Sequence, residues 1–168
     1  GAGPYGDFAV AQHTPGLASG NNEWLGTLSL RSPDSGYYFE PDEMSLAPGH
    51  KLRNCIAWDS ATVGINLARS GQNIVESVTV KTRGSESHGI RLAPELAGKG
   101  GRVRNAVVLG VGHWAVNSVD TPSYVDVSGS WSDAPYNQTT CATGCRTSNP
   151  LTDGSIKFIT RIEAGSPL

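Results

Sequence analysis

Three stretches of this chain can be laid over one another, and that self-similarity limits the fold more than any other feature. They read LRNCIAWDSATVGINLARSG, VESVTVKTRGSESHGIRLAPEL and VRNAVVLGVGHWAVNSVD. Each opens on a polar anchor, Asn54, Ser77 or Asn105, followed by an apolar triplet and, later, a second run of the kind Gly64-Ile65-Asn66-Leu67. The anchors lie 23 and 28 residues apart, and the distance from anchor to the second Ile or Val is 11, 13 and 11. Such a unit, of two short strands and a variable loop, is too small to bury its own apolar face. Its neighbours must therefore stack on it, and the length variation belongs to loops leaving one side of the stack. TPSYVDVSGSW reads as a fourth unit, and LGTLSLRSPDSGYYFEP as an earlier one.

The remaining pattern agrees with a stack of strands. β-prone runs recur at Leu28 to Leu30, Tyr37 to Phe39, Asn54 to Trp58, Gly64 to Leu67, Val75 to Lys81, Gly89 to Leu92, Val103 to Leu109, Trp114 to Ser118, Tyr124 to Ser128 and Ser155 to Ile162. Gly, Asn, Asp, Ser or Pro separates them, as expected of turns. Helical periodicity is nearly absent: LAPELAGKGG is broken by Pro94 and Gly98. With 21 Gly, 10 Pro and only 17% charged residues, the chain lacks the composition long helices favour. An antiparallel sandwich or jelly roll is the competing all-β fold. It would call for longer alternating strands and two-residue hairpin turns, yet Asp153-Gly154 is the single Asp-Gly and there is no Asn-Gly.

The succession of strand, polar turn, G-I-x-L strand and loop resembles the right-handed parallel β-helix domains of secreted polysaccharide-active and cell-surface proteins, the pectate-lyase-like solenoids. NQTTCATGC followed by GSIKFITRIEAGSPL is similar to the end segments of such secreted bacterial proteins. The expected fold is an all-β, right-handed parallel β-helix of five to six short rungs. Its solenoid would cover residues 24–162, after an irregular N-terminal segment over 1–23 and before a tail, 163–168, of the kind a truncation would leave. The resemblance implies an extracellular or cell-surface module with a structural, adhesive or carbohydrate-binding role. Its partners would be polysaccharide or copies of itself stacked end to end. A polysaccharide lyase or glycoside hydrolase domain is the alternative it implies.

Several classes find no support. Gly110-Val111-Gly112 resembles part of a nucleotide-binding turn, but the third glycine position is Ala115 and no helix follows to face a pyrophosphate. These glycines instead suit the corner between two strands of one rung, with Val107 and Val116 expected to point into the stack. Thirteen Lys plus Arg against fifteen Asp plus Glu, a net charge of −2, gives no case for nucleic acid. No apolar run approaches the roughly 20 residues of a membrane span, so no membrane insertion is expected. No basic-then-apolar leader opens the sequence, and any signal peptide is expected to be removed or to lie outside it. No cofactor motif is present. The four histidines, His13, His50, His88 and His113, have no metal-ligand spacing, so no metal is expected.

The candidate functional residues follow from the repeat. His88 and His113 each fall just before the second strand of aligned units, so stacking would make them neighbours about 4.8 Å apart. With Trp114 and Trp58 they form a candidate ligand-binding surface, an aromatic ring being a platform for the apolar face of a sugar. For hydrolysis the weak catalytic candidates are Asp59, Asp120 and Asp126, with Asp133 also near a rung. Each of these equally suits a solvated turn. Cys141 and Cys145 bracket a tight CATGC loop and are expected to form a disulfide, which favours an extracellular compartment. Cys55 reads as a small buried hydrophobe. Asn137-Gln138-Thr139 is the single N-glycosylation sequon, a weak signal.

Overall fold

The computed structural model describes residues 6–12, 21–41, 49–68, 72–93, 101–110, 112, 114–118, 126–132, 134, 136–137 and 141–145. His113, Asp120, Asp133 and the 155–162 run lie outside the described residues. Every strand pairing is parallel, and the strands form three sheets that the chain visits in turn. Sheet I contains β2 (Glu23–Leu25), β5 (Lys51–Arg53), β8 (Ile74–Glu76), β11 (Arg102–Arg104), β14 (Asp126–Ser128) and β17 (Cys141–Thr143). Sheet II contains β3 (Leu28–Leu30), β6 (Ile56–Ser60), β9 (Thr79–Thr82), β12 (Val107–Leu109) and β15 (Trp131–Ser132). Sheet III contains β1 (Phe8–Gln12), β4 (Tyr37–Pro41), β7 (Val63–Ala68), β10 (His88–Ala93), β13 (Trp114–Ser118) and β16 (Tyr136–Asn137). The chain is thus an all-β parallel solenoid of β-helix type. Among the described residues, five full coils run from β2 to β16, with β1 before them and β17 after them.

Each coil holds three strands, where the sequence repeat suggested two. The runs Val75 to Lys81 and Val103 to Leu109 each break into two strands at Ser77 and Asn105. Both anchors, with Asn54, have positive φ (53°, 54° and 50° for Asn54, Ser77 and Asn105), and Gly26, Gly129 and Gly144 occupy the same corner at 63°, 57° and 70°. A left-handed residue bends the chain sharply between sheets I and II, and Asn and Gly tolerate that conformation best. The amide stays in use: Asn54 N donates to Glu76 O at 3.2 Å and Ser77 N to Arg104 O at 3.0 Å.

The corner residue also resets the alternation of faces. Val103, Ala106 and Val108 all join the main core cluster, a three-residue step followed by a two-residue step. Val107 is therefore not the inward residue, as the continuous-strand reading expected. It is half-buried and packs with Ile56, Trp58 and Leu109 in a second cluster apart from the core. At its own positions the repeat holds well: Ile65, Ile90 and Val116 face one another directly in sheet III.

The core is filled by complementary sizes. Sheet III contributes Tyr37, Phe39, Ile65, Leu67, Ile90 and Leu92, while sheet II presents Ser29, Ala57, Val80 and Val108 opposite them. Leu52, Val75 and Val103 of sheet I close the cross-section. Large side chains against small ones give the dense packing that protein interiors require. The corner from sheet II to sheet III is polar: Ser32 Oγ donates to Ser35 O, Ser87 Oγ to Gly84 O and Ser132 Oγ to Ala134 O, at 2.6–2.7 Å, while the buried Ser60 Oγ has no hydrogen-bond partner among the described residues. Strand β1 lies in the segment expected to be irregular and pairs in register with β4, with the Phe8 ring stacked 4.9 Å from that of Tyr37.

Candidate functional site

The residues expected to bind a ligand divide among different places. His88 opens β10, is half-buried, and donates its backbone N–H to Thr62 O at 2.9 Å. In sheet III it faces Val63 on one side and Trp114 on the other. The residue in register with His88 is therefore Trp114, one strand spacing away, and the expected partner His113 lies outside the described residues. Trp58 belongs elsewhere. It lies on β6 in sheet II, 9% exposed, in the outer cluster with Leu109, and Lys81 Nζ sits 4.9 Å from its ring centroid. Its indole is occupied by packing and a cation–π contact and does not offer an open face to a sugar.

Of the candidate carboxylates, Asp59 and Asp126 lie on strands of different sheets, and Asp120 and Asp133 lie outside the described residues. Asp59 sits at φ 65° in an irregularity of β6 between Trp58 and Ser60. Its Oδ2 is 3.6 Å from Arg83 Nη1, and the same guanidinium donates to Asp59 O and, at 3.3 Å, to Ser32 O. Asp59 is thereby engaged in holding the corner between sheets II and III. Asp126 opens β14 in sheet I, in register with Arg102. Among the described residues no three His, Cys, Asp or Glu side chains come together as a metal site. Among the described residues there is no helix long and apolar enough to cross a membrane.

What register does assemble is a row along sheet III: Tyr38, Asn66, Arg91, Asn117 and Asn137 occupy successive strands at matching positions. These are the variable x positions of the G-I-x-L pattern and its relatives, so the repeat itself marks the row. Ile65 and Leu67 point into the core, and alternation puts Asn66 between them on the outer face. Tyr38 and Asn66 are nonetheless buried, and Asn66 Oδ1 has no hydrogen-bond partner among the described residues. Arg91 is half-buried.

A second polar column marks the corner between sheets III and I. Asn22, His50 and Asn73 each precede a sheet I strand. Asn22 Nδ2 lies 3.3 Å from His50 Nδ1, and His50 N donates to Asn73 Oδ1 at 2.9 Å. The imidazole is 1% exposed, 3.6 Å from the Phe39 ring by centroids and 5.9 Å from that of Trp24. Desolvation pulls its pKa down from 6.5 to about 4, so the ring is neutral at physiological pH. His50 Nε2 has no hydrogen-bond partner among the described residues. Burial likewise pushes the Tyr37 phenol well above its ordinary value, while its hydroxyl donates to Thr27 O at 2.8 Å inside the core. Cys55 is a buried free thiol at the sheet I–II corner, as its sequence context suggested. Cys141 lies on β17, and Cys145 follows just past its end beyond Gly144.

No protein-family model, no curated protein and no solved structure matches this chain.

Proposed function

We propose that this solenoid is an extracellular or cell-surface module that binds polysaccharide along sheet III, in a structural or adhesive role. The observation that carries the reading is the register row from Arg91 through Asn117 to Asn137, with His88 and Trp114 side by side at the strand starts. Planar amides and guanidinium groups bond pairs of adjacent hydroxyls, and an indole stacks on the apolar face of a sugar ring. A polymer of repeating sugars is the ligand class whose periodicity suits a row repeated at strand spacing, about 4.8 Å. A Cys141–Cys145 bridge across the Gly144 corner would suit the same oxidising compartment.

Affinity electrophoresis and calorimetry against a panel of neutral and acidic polysaccharides test this reading. The protein should bind at least one polymer, with Arg91→Ala and Trp114→Ala each weakening that binding tenfold or more. Absence of binding across the panel, or variants that bind like the parent, would refute it. Thiol labelling with and without reductant should find only Cys55 reactive after unfolding of the unreduced protein. Labelling of three thiols would remove the bridge from the proposal.

A further inference from the structure

The outer face of sheet II is apolar where that of sheet I is charged. Ala57, Val80 and Val108 point into the core, so alternation turns the residues beside them outward. In sheet I the outward positions include Lys51, Arg53, Arg102 and Arg104, as suits a solvated flank. In sheet II register lines up Leu30, Trp58, Lys81 and Leu109 in one outward column, beside a second that includes Ile56 and Val107. The apolar members of the first column lose exposure towards the C-terminal coils: Leu30 is 53% exposed, Trp58 9% and Leu109 0%. Leu109 is thus sealed on the outside of the stack, although among the described residues its cluster holds only sheet II side chains. A side chain on an outer sheet face is sealed in this way only where further chain lies over it.

Topology narrows which chain that is. The stretches 13–20, 42–48, 69–71, 94–100, 119–125 and 138–140, outside the described residues, each join a sheet III strand to a sheet I strand. Each leaves and returns at the corner opposite sheet II. The longest can extend about 14 Å from there, too little to round a flank and reach the middle of sheet II. Residues 111, 113, 133 and 135 are single positions at least two coils from Trp58. Residues 1–5 adjoin β1, four coils before β12. Five extended residues reach at most about 18 Å, and four strand spacings alone take about 19 Å. Residues 146–168 remain. They follow Cys145, which packs against the main core just past Gly144, the left-handed residue at the corner leading into sheet II. They start two coils beyond β12, well within their reach.

We infer that the segment 155–162 of this same chain docks along the outer face of sheet II, running from Leu109 towards Trp58. Its sequence is SIKFITRI, and in an extended segment alternation places Ile156, Phe158 and Ile162 on one face. Those three side chains supply the apolar cover that Leu109 and Trp58 have and that Leu30, at the far end of the column, lacks. Falling exposure towards the C-terminal coils is what a cover entering from that side leaves behind. A second copy is not needed, because Leu109 is already sealed within a single chain. An uncovered apolar flank of this kind would instead be a site of association. The inference is independent of polysaccharide binding, which concerns sheet III.

Photo-cross-linking in the full chain tests the placement. With a benzophenone amino acid in place of Phe158, irradiation should join that position, within its own chain, to the peptides carrying Ile56–Ser60 or Val107–Leu109. Cross-links to sheet I or sheet III peptides alone, cross-links between chains, or no cross-link would overturn it. Dye binding supplies a second measure. The parent should bind little anilinonaphthalene sulfonate, and Phe158→Asp/Ile162→Asp several times more, with the strand signature in far-ultraviolet circular dichroism unchanged. A variant that keeps this signature and binds no more dye than the parent would equally overturn it.

Discussion

Acidification should destabilise this fold through a single buried ring, and the size of the effect follows from the corner that holds it. His50 is 1% exposed, packed at a tilt against Phe39, with its Nδ1 beside Asn22 Nδ2. Its pKa falls from 6.5 to about 4 because burial penalises the charged form. When a folded-state pKa is depressed, the unfolded chain takes up the proton first. The stability is then complete above pH 6.5 and is lost as pH falls towards 4. At about 1.4 kcal/mol per pKa unit, the whole loss is roughly 3 kcal/mol, of which about 2.5 kcal/mol is realised by pH 4.5. Other groups titrate over the same range, so the informative quantity is a difference between proteins. His50→Asn places at this position the residue already found at Asn22 and Asn73, and it cannot titrate. Urea unfolding followed by tryptophan fluorescence at pH 7.5 and pH 4.5 should show the parent losing about 2.5 kcal/mol more than His50→Asn over that interval. A variant whose stability tracks the parent to within about 0.5 kcal/mol at both pH values would refute the argument, because the ring would then be hydrated or already paired when charged.

Two further substitutions test the corners. At Ser77, φ 54°, glycine should leave stability within about 0.5 kcal/mol, its easier left-handed backbone offsetting its greater unfolded-state entropy. Ser77→Val should cost roughly 1–3 kcal/mol by chemical denaturation, and a neutral valine would refute the left-handed corner. Gly64→Ala should destabilise by roughly 1–3 kcal/mol in the same assay, since the added Cβ would overlap Val80 Cγ1 and approach Gly89 O to 2.8 Å. Arg53→Ala, by contrast, should cost at most about 1 kcal/mol, because its bonds to Glu23 and Glu76 join partly exposed side chains.

The repeat was legible in the sequence because stacking imposes the same demand on every coil. Ile65, Ile90 and Val116 were aligned by spacing alone, and they pair directly in sheet III. Asn54, Ser77 and Asn105 were recognised as anchors, and all three prove to be left-handed corner residues, a conformation that polar side chains and glycine tolerate and β-branched ones do not. A solenoid writes its geometry locally, and a chain of short apolar runs between turn residues can read it out.

Three things needed the tertiary structure. The third strand of each coil stayed hidden because Lys51–Arg53 and Arg102–Arg104 expose two of three side chains to the outside and carry little apolar signal. The inward face of β12 was misassigned to Val107 because the corner at Asn105 shifts the alternation, and hydropathy does not record φ. The neighbours across coils were decided by register: Trp114 beside His88, and Arg91 between Asn66 and Asn117. Loop length varies from coil to coil, so sequence distance does not fix which residues meet across strands. The chain by itself determined that it must stack on its own repeats, and only the folded register decided which side chains that stacking brings together.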